Sequence, residues 1–114
     1  MKKVFAAAIN GILQSVQTEG NFKIQIASTL LVVLLGFYFN ITKTEWLVIT
    51  LCCMTVLALE LMNTAVEKLC DMISKDIHPV IKIVKDTAAG AVLVAAIGSA
   101  VIAGIIFVPH ILHS

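Results

Sequence analysis

One stretch carries chemistry-grade residues at helical spacing: Glu60-Leu61-Met62-Asn63-Thr64-Ala65-Val66-Glu67-Lys68-Leu69-Cys70-Asp71. At about 100° per residue, Glu60, Asn63, Thr64, Glu67 and Asp71 share one stripe of a helix about 100° wide. Leu61, Val66, Leu69 and Met72 lie opposite. The stripe sits at the end of a long apolar run. Three carboxylates this close repel one another unless a cation sits among them. A magnesium ion with phosphate oxygens would relieve that repulsion, because Mg²⁺ favours one or two carboxylates plus substrate phosphates. Glu19 and Asp86, with Lys85, fall at the same depth as the stripe. This set suits phosphoryl transfer, which needs a charge-neutralising metal, a carboxylate to receive a hydroxyl proton, and a cation near the phosphates. The spacing also admits interhelical Glu–Lys pairs or a proton relay.

The motifs of other nucleotide chemistries are missing. No GxxxxGKS, GxGxxG or HRD/DFG pattern occurs, and the histidines and cysteines lack zinc spacing. Cys52, Cys53 and Cys70 read as small core residues in a reducing setting. The eight basic residues are all lysine, which argues against a surface gripping phosphates by bidentate forks. The net charge of +1 gives no reason to expect nucleic acid.

Composition decides the class of element that must position these residues. The chain has 114 residues, 60% apolar and 13% charged, whereas soluble domains average about 25% charged. The expectation is a single all-α membrane domain over 1–114. Residues 4–18 space Phe5, Ile9, Ile12, Leu13 and Val16 along one face and are too short to span. An amphipathic helix lying on the surface of the bilayer is expected there, with Lys2 and Lys3 near the headgroups. No apolar h-region follows those lysines, so no signal peptide is expected.

Three spans are expected at about 22–39, 46–73 and 87–109. Phe37, Tyr38 and Phe39 close the first as an aromatic belt, and Trp46 anchors the second. Thr44 is the expected cap of that helix, with Glu45 in its first turn. A charged connector with a short surface turn is expected over 74–86, broken at His78-Pro79. The third span is rich in small residues, with Ala95/Ser99/Ala103 and Ala96/Ala100/Gly104 in the pattern that lets helices approach closely. Pro109 should end it, leaving His110 and His113 in an exposed tail. Lysines concentrate before the first span and between the second and third. This distribution places the N-terminus and the acidic stripe in the cytoplasm.

Glu60-x-x-Asn63-Thr64-Ala65-x-Glu67-x-x-x-Asp71, then His78 and Lys85-Asp86-x-Ala88-Ala89-Gly90-Ala91-Val92-Leu93, resembles the signature of the small prokaryotic diacylglycerol kinase family, which includes undecaprenol kinases. Glu19-x-Asn21-x-Lys23 resembles the family's N-terminal acidic segment, so the resemblance covers nearly the whole chain. It departs at Lys23 and Gln25, where relatives often carry Arg and His. The resemblance implies a homotrimeric bundle with active sites shared between subunits. It implies an ATP- and Mg²⁺-dependent kinase that phosphorylates a membrane lipid alcohol, undecaprenol or diacylglycerol, at the cytoplasmic face of the prokaryotic plasma membrane. Glu45-Trp46 and the Asn-Thr-Ala and Ala-Ala-Gly-Ala-Val-Leu stretches are closer to the undecaprenol branch.

Carried over by position, Glu60 would be the general base and Glu19 and Glu67 the Mg²⁺ ligands. Lys85 and Asp86 would contact ATP with Asp76, Ile77 and His78 nearby, and Asn63 would help position the base or the phosphate. Two other classes compete. An ion- or proton-conducting oligomer would line a pore with Glu60 and Glu67, yet the acids gather at one end of the span. A purely structural subunit gives no reason for the polar stripe.

Overall fold

The computed structural model describes residues 1–74, 76 and 78–113. Four helices follow in order: α1 (Lys2–Thr18), α2 (Gly20–Phe39), α3 (Lys43–Ile73) and α4 (Pro79–Leu112). The last three are long and apolar enough to cross a membrane. α3 packs most extensively on α4 and next on α2, while α1 touches α2 and α3. The bundle measures 54 × 37 × 21 Å, and its long axis is close to the ~51 Å that 34 helical residues span.

The helix ends follow local chemistry. Asn40 takes a left-handed conformation (φ 51°) at the C-terminus of α2, a conformation Asn tolerates better than most residues. Ile41 N then donates to Gly36 O, and the Ile41 side chain is buried. The cap of α3 is Thr42, not the expected Thr44. Thr42 Oγ1 accepts from Glu45 N at 3.1 Å, and Glu45 Oε1 accepts from Thr42 N at 2.9 Å. This reciprocal capping box needs its hydroxyl three residues before the acid, and Thr44 is only one away.

α4 begins at Pro79, not near residue 87, so the expected surface turn is the first part of one continuous helix. Pro79 occupies the first turn, where its missing N–H costs no hydrogen bond, and His78 Nδ1 accepts from Val80 N at 3.2 Å. Pro109 lies inside α4 near its end, and there it forfeits only one backbone bond. His110 is accordingly not a free tail residue. Its Nε2 lies 3.2 Å from Glu45 Oε1, and its ring stacks at 6.0 Å from Phe39.

The core is concentrated at the end of the bundle that holds the α2–α3 turn. Ile41, Ile49, Ile106 and Phe107 are buried there, with Val32, Leu35, Phe39 and Trp46 packed around them. Gly36 admits the Trp46 indole so closely that a Cβ would lie 2.6 Å from Cη2. Two of the cavities described below open toward the opposite, acidic end. Most large apolar side chains of α1, α2 and α4 face outward, including Phe5, Leu30, Leu34, Val94 and Ile105. Outward apolar faces on membrane-length helices are the arrangement a bilayer or a neighbouring helix covers.

Candidate active site

The polar stripe of α3 is graded by depth. Glu60 (6% exposed), Asn63 (9%) and Thr64 (7%) are buried, Glu67 is half-buried and Asp71 is exposed. Burying a carboxylate without a partner is costly, so its surroundings are informative. Among the described residues, Glu60, Glu67 and Glu19 form no ion pair. Glu67 and Glu19 are instead the charged neighbours that act on Glu60. Glu19 reaches this point from the α1–α2 junction, where it caps α2. Glu67 and Glu19, from two parts of the chain, thus both bear on Glu60, and among the described residues no ion pair offsets any of the three. No three His, Cys, Asp or Glu side chains among the described residues form a ready-made metal cage.

Asn63 joins the deep and shallow parts. Its Nδ2 donates to Glu67 Oε1 at 2.9 Å, which fixes that carboxylate. Its Oδ1 is buried without a hydrogen-bond partner. Thr64 is satisfied internally, its hydroxyl donating to Glu60 O at 3.0 Å. Glu60 and Asn63 together line a chamber of about 270 Å³, completed by Asn21 and Gln25 of α2 and by Ala89, Val92, Leu93 and Ala96 of α4. An orphaned acceptor beside a buried carboxylate can take a hydrogen bond from a ligand that carries a donor.

Asp71 does not belong with the other carboxylates of the stripe. It accepts from Lys85 Nζ at 2.6 Å, which ties α3 to α4. Glu67 also lies within electrostatic reach of Lys85. Lys82 pairs with Asp86 at 2.6 Å one turn along α4. Lys82, Lys85, Asp86, Asp76, His78 and Ser74 line a second hollow of about 290 Å³ at the mouth of the site. Of the candidate residues, Glu60 and Asn63 line the chamber, Glu19 and Glu67 act on Glu60 from outside its lining, and Asp76, His78, Lys85 and Asp86 line the second hollow. Ile77 lies outside the described residues.

Residues 6–107 match the family model described as prokaryotic diacylglycerol kinase. The chain belongs to the prokaryotic diacylglycerol kinase family. Membership makes it a membrane lipid kinase. It is 39% identical over 109 residues to the undecaprenol kinase of Bacillus subtilis, covering 96% of this chain and 89% of that one. It is 33% identical over 109 residues to the diacylglycerol kinase of Synechocystis, covering 95% of this chain and 62% of that longer protein.

Residue typing alone did not give Gln25 a place in the chamber wall, since an isolated glutamine in an apolar run carries no chemical pattern. Asn21 was visible only within the Glu19-x-Asn21-x-Lys23 motif. The orphaned oxygen of Asn63 had no sequence signal at all.

Proposed function

We infer that this kinase transfers the terminal phosphoryl group of ATP to the hydroxyl of a membrane lipid alcohol, undecaprenol or diacylglycerol, at the cytoplasmic face of the prokaryotic plasma membrane. The observation that carries the reading is the buried Glu60, without an ion pair among the described residues, beside the orphaned Asn63 oxygen, with Glu67 one turn beyond Asn63. A lipid hydroxyl cannot leave the interface, and ATP cannot enter hydrocarbon. A base buried in the wall, with acids and a lysine toward the mouth, serves both substrates.

Glu60 is the general base: its carboxylate takes the hydroxyl proton as the lipid oxygen attacks phosphorus, and the displaced diphosphate leaves as ADP. Asn63 Oδ1 accepts from the hydroxyl as the lipid docks, and the proton then passes to the adjacent Glu60 carboxylate. Glu19 and Glu67 would hold Mg²⁺, which when bound neutralises phosphate charge. Asn63 keeps Glu67 in place for this. Lys85 supplies the cation nearest the phosphates, and Asp86, Asp76, Ile77 and His78 border the nucleotide. α1 lies on the membrane surface. The outward apolar faces accommodate a homotrimer in which neighbouring subunits share sites.

The test is transfer of label from ATP to undecaprenol and to diacylglycerol by the purified protein in mixed micelles. Labelled lipid that is lost with EDTA and in Glu60→Gln supports the reading. An active Glu60→Gln variant removes the assigned base. A folded oligomer that labels neither lipid removes the assigned substrates.

A further inference from the structure

A cleft of about 380 Å³, larger than either hollow of the active site, separates α1 from α3. It shares no lining residue with those hollows. It lies on the flank of the polar stripe, bordered by Thr64, whose hydroxyl is already spent on Glu60 O. Its walls are largely apolar, with Ile12 on one side and Leu61 and Ala65 on the other. Three groups that donate hydrogen bonds break that lining: the Lys68 ammonium, the Ser15 hydroxyl and the Gln14 amide. Lys82 and Lys85 are each held by an aspartate, whereas Lys68 forms no ion pair among the described residues. Ser15 is only 5% exposed, yet its hydroxyl has no hydrogen-bond partner among the described residues. Burying a hydroxyl in that state is costly unless a ligand completes it. No carboxylate among the described residues lines the cleft.

A cation and two neutral donors set among carbon walls fit a phosphate carried on an apolar body. With α1 on the membrane surface, the cleft lies at headgroup depth, and basic pockets between helices on the cytoplasmic side take anionic headgroups. We propose that the α1–α3 cleft binds the phosphate of an anionic membrane lipid that is not a substrate, Lys68 supplying the charge and Ser15 and Gln14 the hydrogen bonds. Occupancy reaches the active site through the backbone. α1 packs only sparsely on α2 and α3. Ser15 O accepts from Glu19 N at 2.9 Å, and Glu19 in turn bears on Glu60. A headgroup that ties Ser15 to Lys68 fixes α1 against α3 and holds Glu19 beside the site. The anionic charge of the membrane then governs turnover. Binding is independent of the lipid-kinase reading, and the effect on turnover rests on it.

The experiment reconstitutes the full chain in vesicles of phosphatidylcholine alone and of phosphatidylcholine with increasing phosphatidylserine, at saturating ATP, Mg²⁺ and lipid alcohol. Turnover of the unaltered protein rises with phosphatidylserine. In Lys68→Gln the phosphatidylserine needed for half of that rise increases about fivefold or more, the share of one lysine at an anionic surface. Lys68→Arg keeps the rise. Gly11→Leu fills the cleft and leaves its charge in place, since a Cβ at Gly11 meets nothing within 4 Å. It abolishes the rise and keeps the turnover seen in phosphatidylcholine alone. An equal response in all four proteins overturns the site. The same rise produced by inorganic phosphate in phosphatidylcholine alone overturns the lipid assignment in favour of a free anion. Native mass spectrometry of the protein in detergent reads binding without activity. Phosphatidylserine retained by the unaltered chain and lost from Lys68→Gln and Gly11→Leu supports the cleft, and equal retention by all three overturns it. If no alcohol is phosphorylated while retention follows the first pattern, the kinase reading fails and the lipid site stands.

Discussion

Lys85 Nζ lies 2.6 Å from Asp71 Oδ1, so a basic residue within electrostatic reach of Glu67 is engaged by a different acid. The pair joins α3 and α4 at the acidic end, and among the described residues Glu60, Glu67 and Glu19 form no ion pair of their own. Both partners are substantially exposed, and pairs of this kind add little stability. Its consequence is positional: the Lys85 ammonium is parked at the mouth of the site. Asp71→Asn is expected to cost less than about 1 kcal/mol of stability and to change the KM for ATP only modestly. Lys85→Met is expected to raise that KM about tenfold or more, the loss of a charge-assisted contact. Initial rates over an ATP titration separate the two. Equal effects of both variants would mean the bridge, not the ammonium, matters.

Glu60→Gln preserves shape at a buried position and removes both the negative charge and the ability to take a proton. Turnover should fall by about 10²–10⁴, the range of general-base contributions, while helicity and oligomer size stay unchanged. A variant retaining more than a tenth of the rate would mean the proton goes elsewhere.

Asn63→Ala removes the donor that holds Glu67 and the orphaned acceptor in one step. A hydrogen bond to a charged group contributes about 1.5–3 kcal/mol, so the Mg²⁺ concentration giving half-maximal activity should rise on the order of tenfold. Mg²⁺ titration at saturating ATP measures it. An unchanged midpoint with reduced maximal rate would assign Asn63 to the lipid hydroxyl alone.

The sequence made the membrane helices and the polar stripe legible because both depend on local periodicity, which 100° per residue converts directly into a face. Asp71 shows where that rule stops. It shares the stripe with Glu60, yet Lys85 from a helix 14 residues further on claims it. The same holds for His110, which looked like tail until α4 carried it past Pro109 to Glu45. Such pairings depend on how two helices register against each other, and no single helix encodes that. The early start of α4 was written locally, in Pro79 at the first turn, but the charges after it read as connector because they face water and not because they leave the helix.

Gly36 and Trp46 make the packing of the turn end testable. The indole sits where a Gly36 Cβ would be, 2.6 Å from Cη2 and 2.9 Å from Cζ2, and the Phe37 ring leans on the same indole at 4.9 Å. The obstacle is a rigid ring, so it must move as a whole. Gly36→Ala is therefore expected to cost about 1–3 kcal/mol, the usual range for overpacking. Trp46 is the sole tryptophan, so its emission during denaturation in detergent reports the displacement directly. Pairing Gly36→Ala with Trp46→Leu should recover part of the loss, because a smaller, jointed side chain can yield to the new methyl. A double variant no more stable than the sum of the two single losses would show that Gly36 is needed for some reason other than the indole. Kinase activity should follow stability and not fall further, since this contact lies at the end of the bundle away from Glu60.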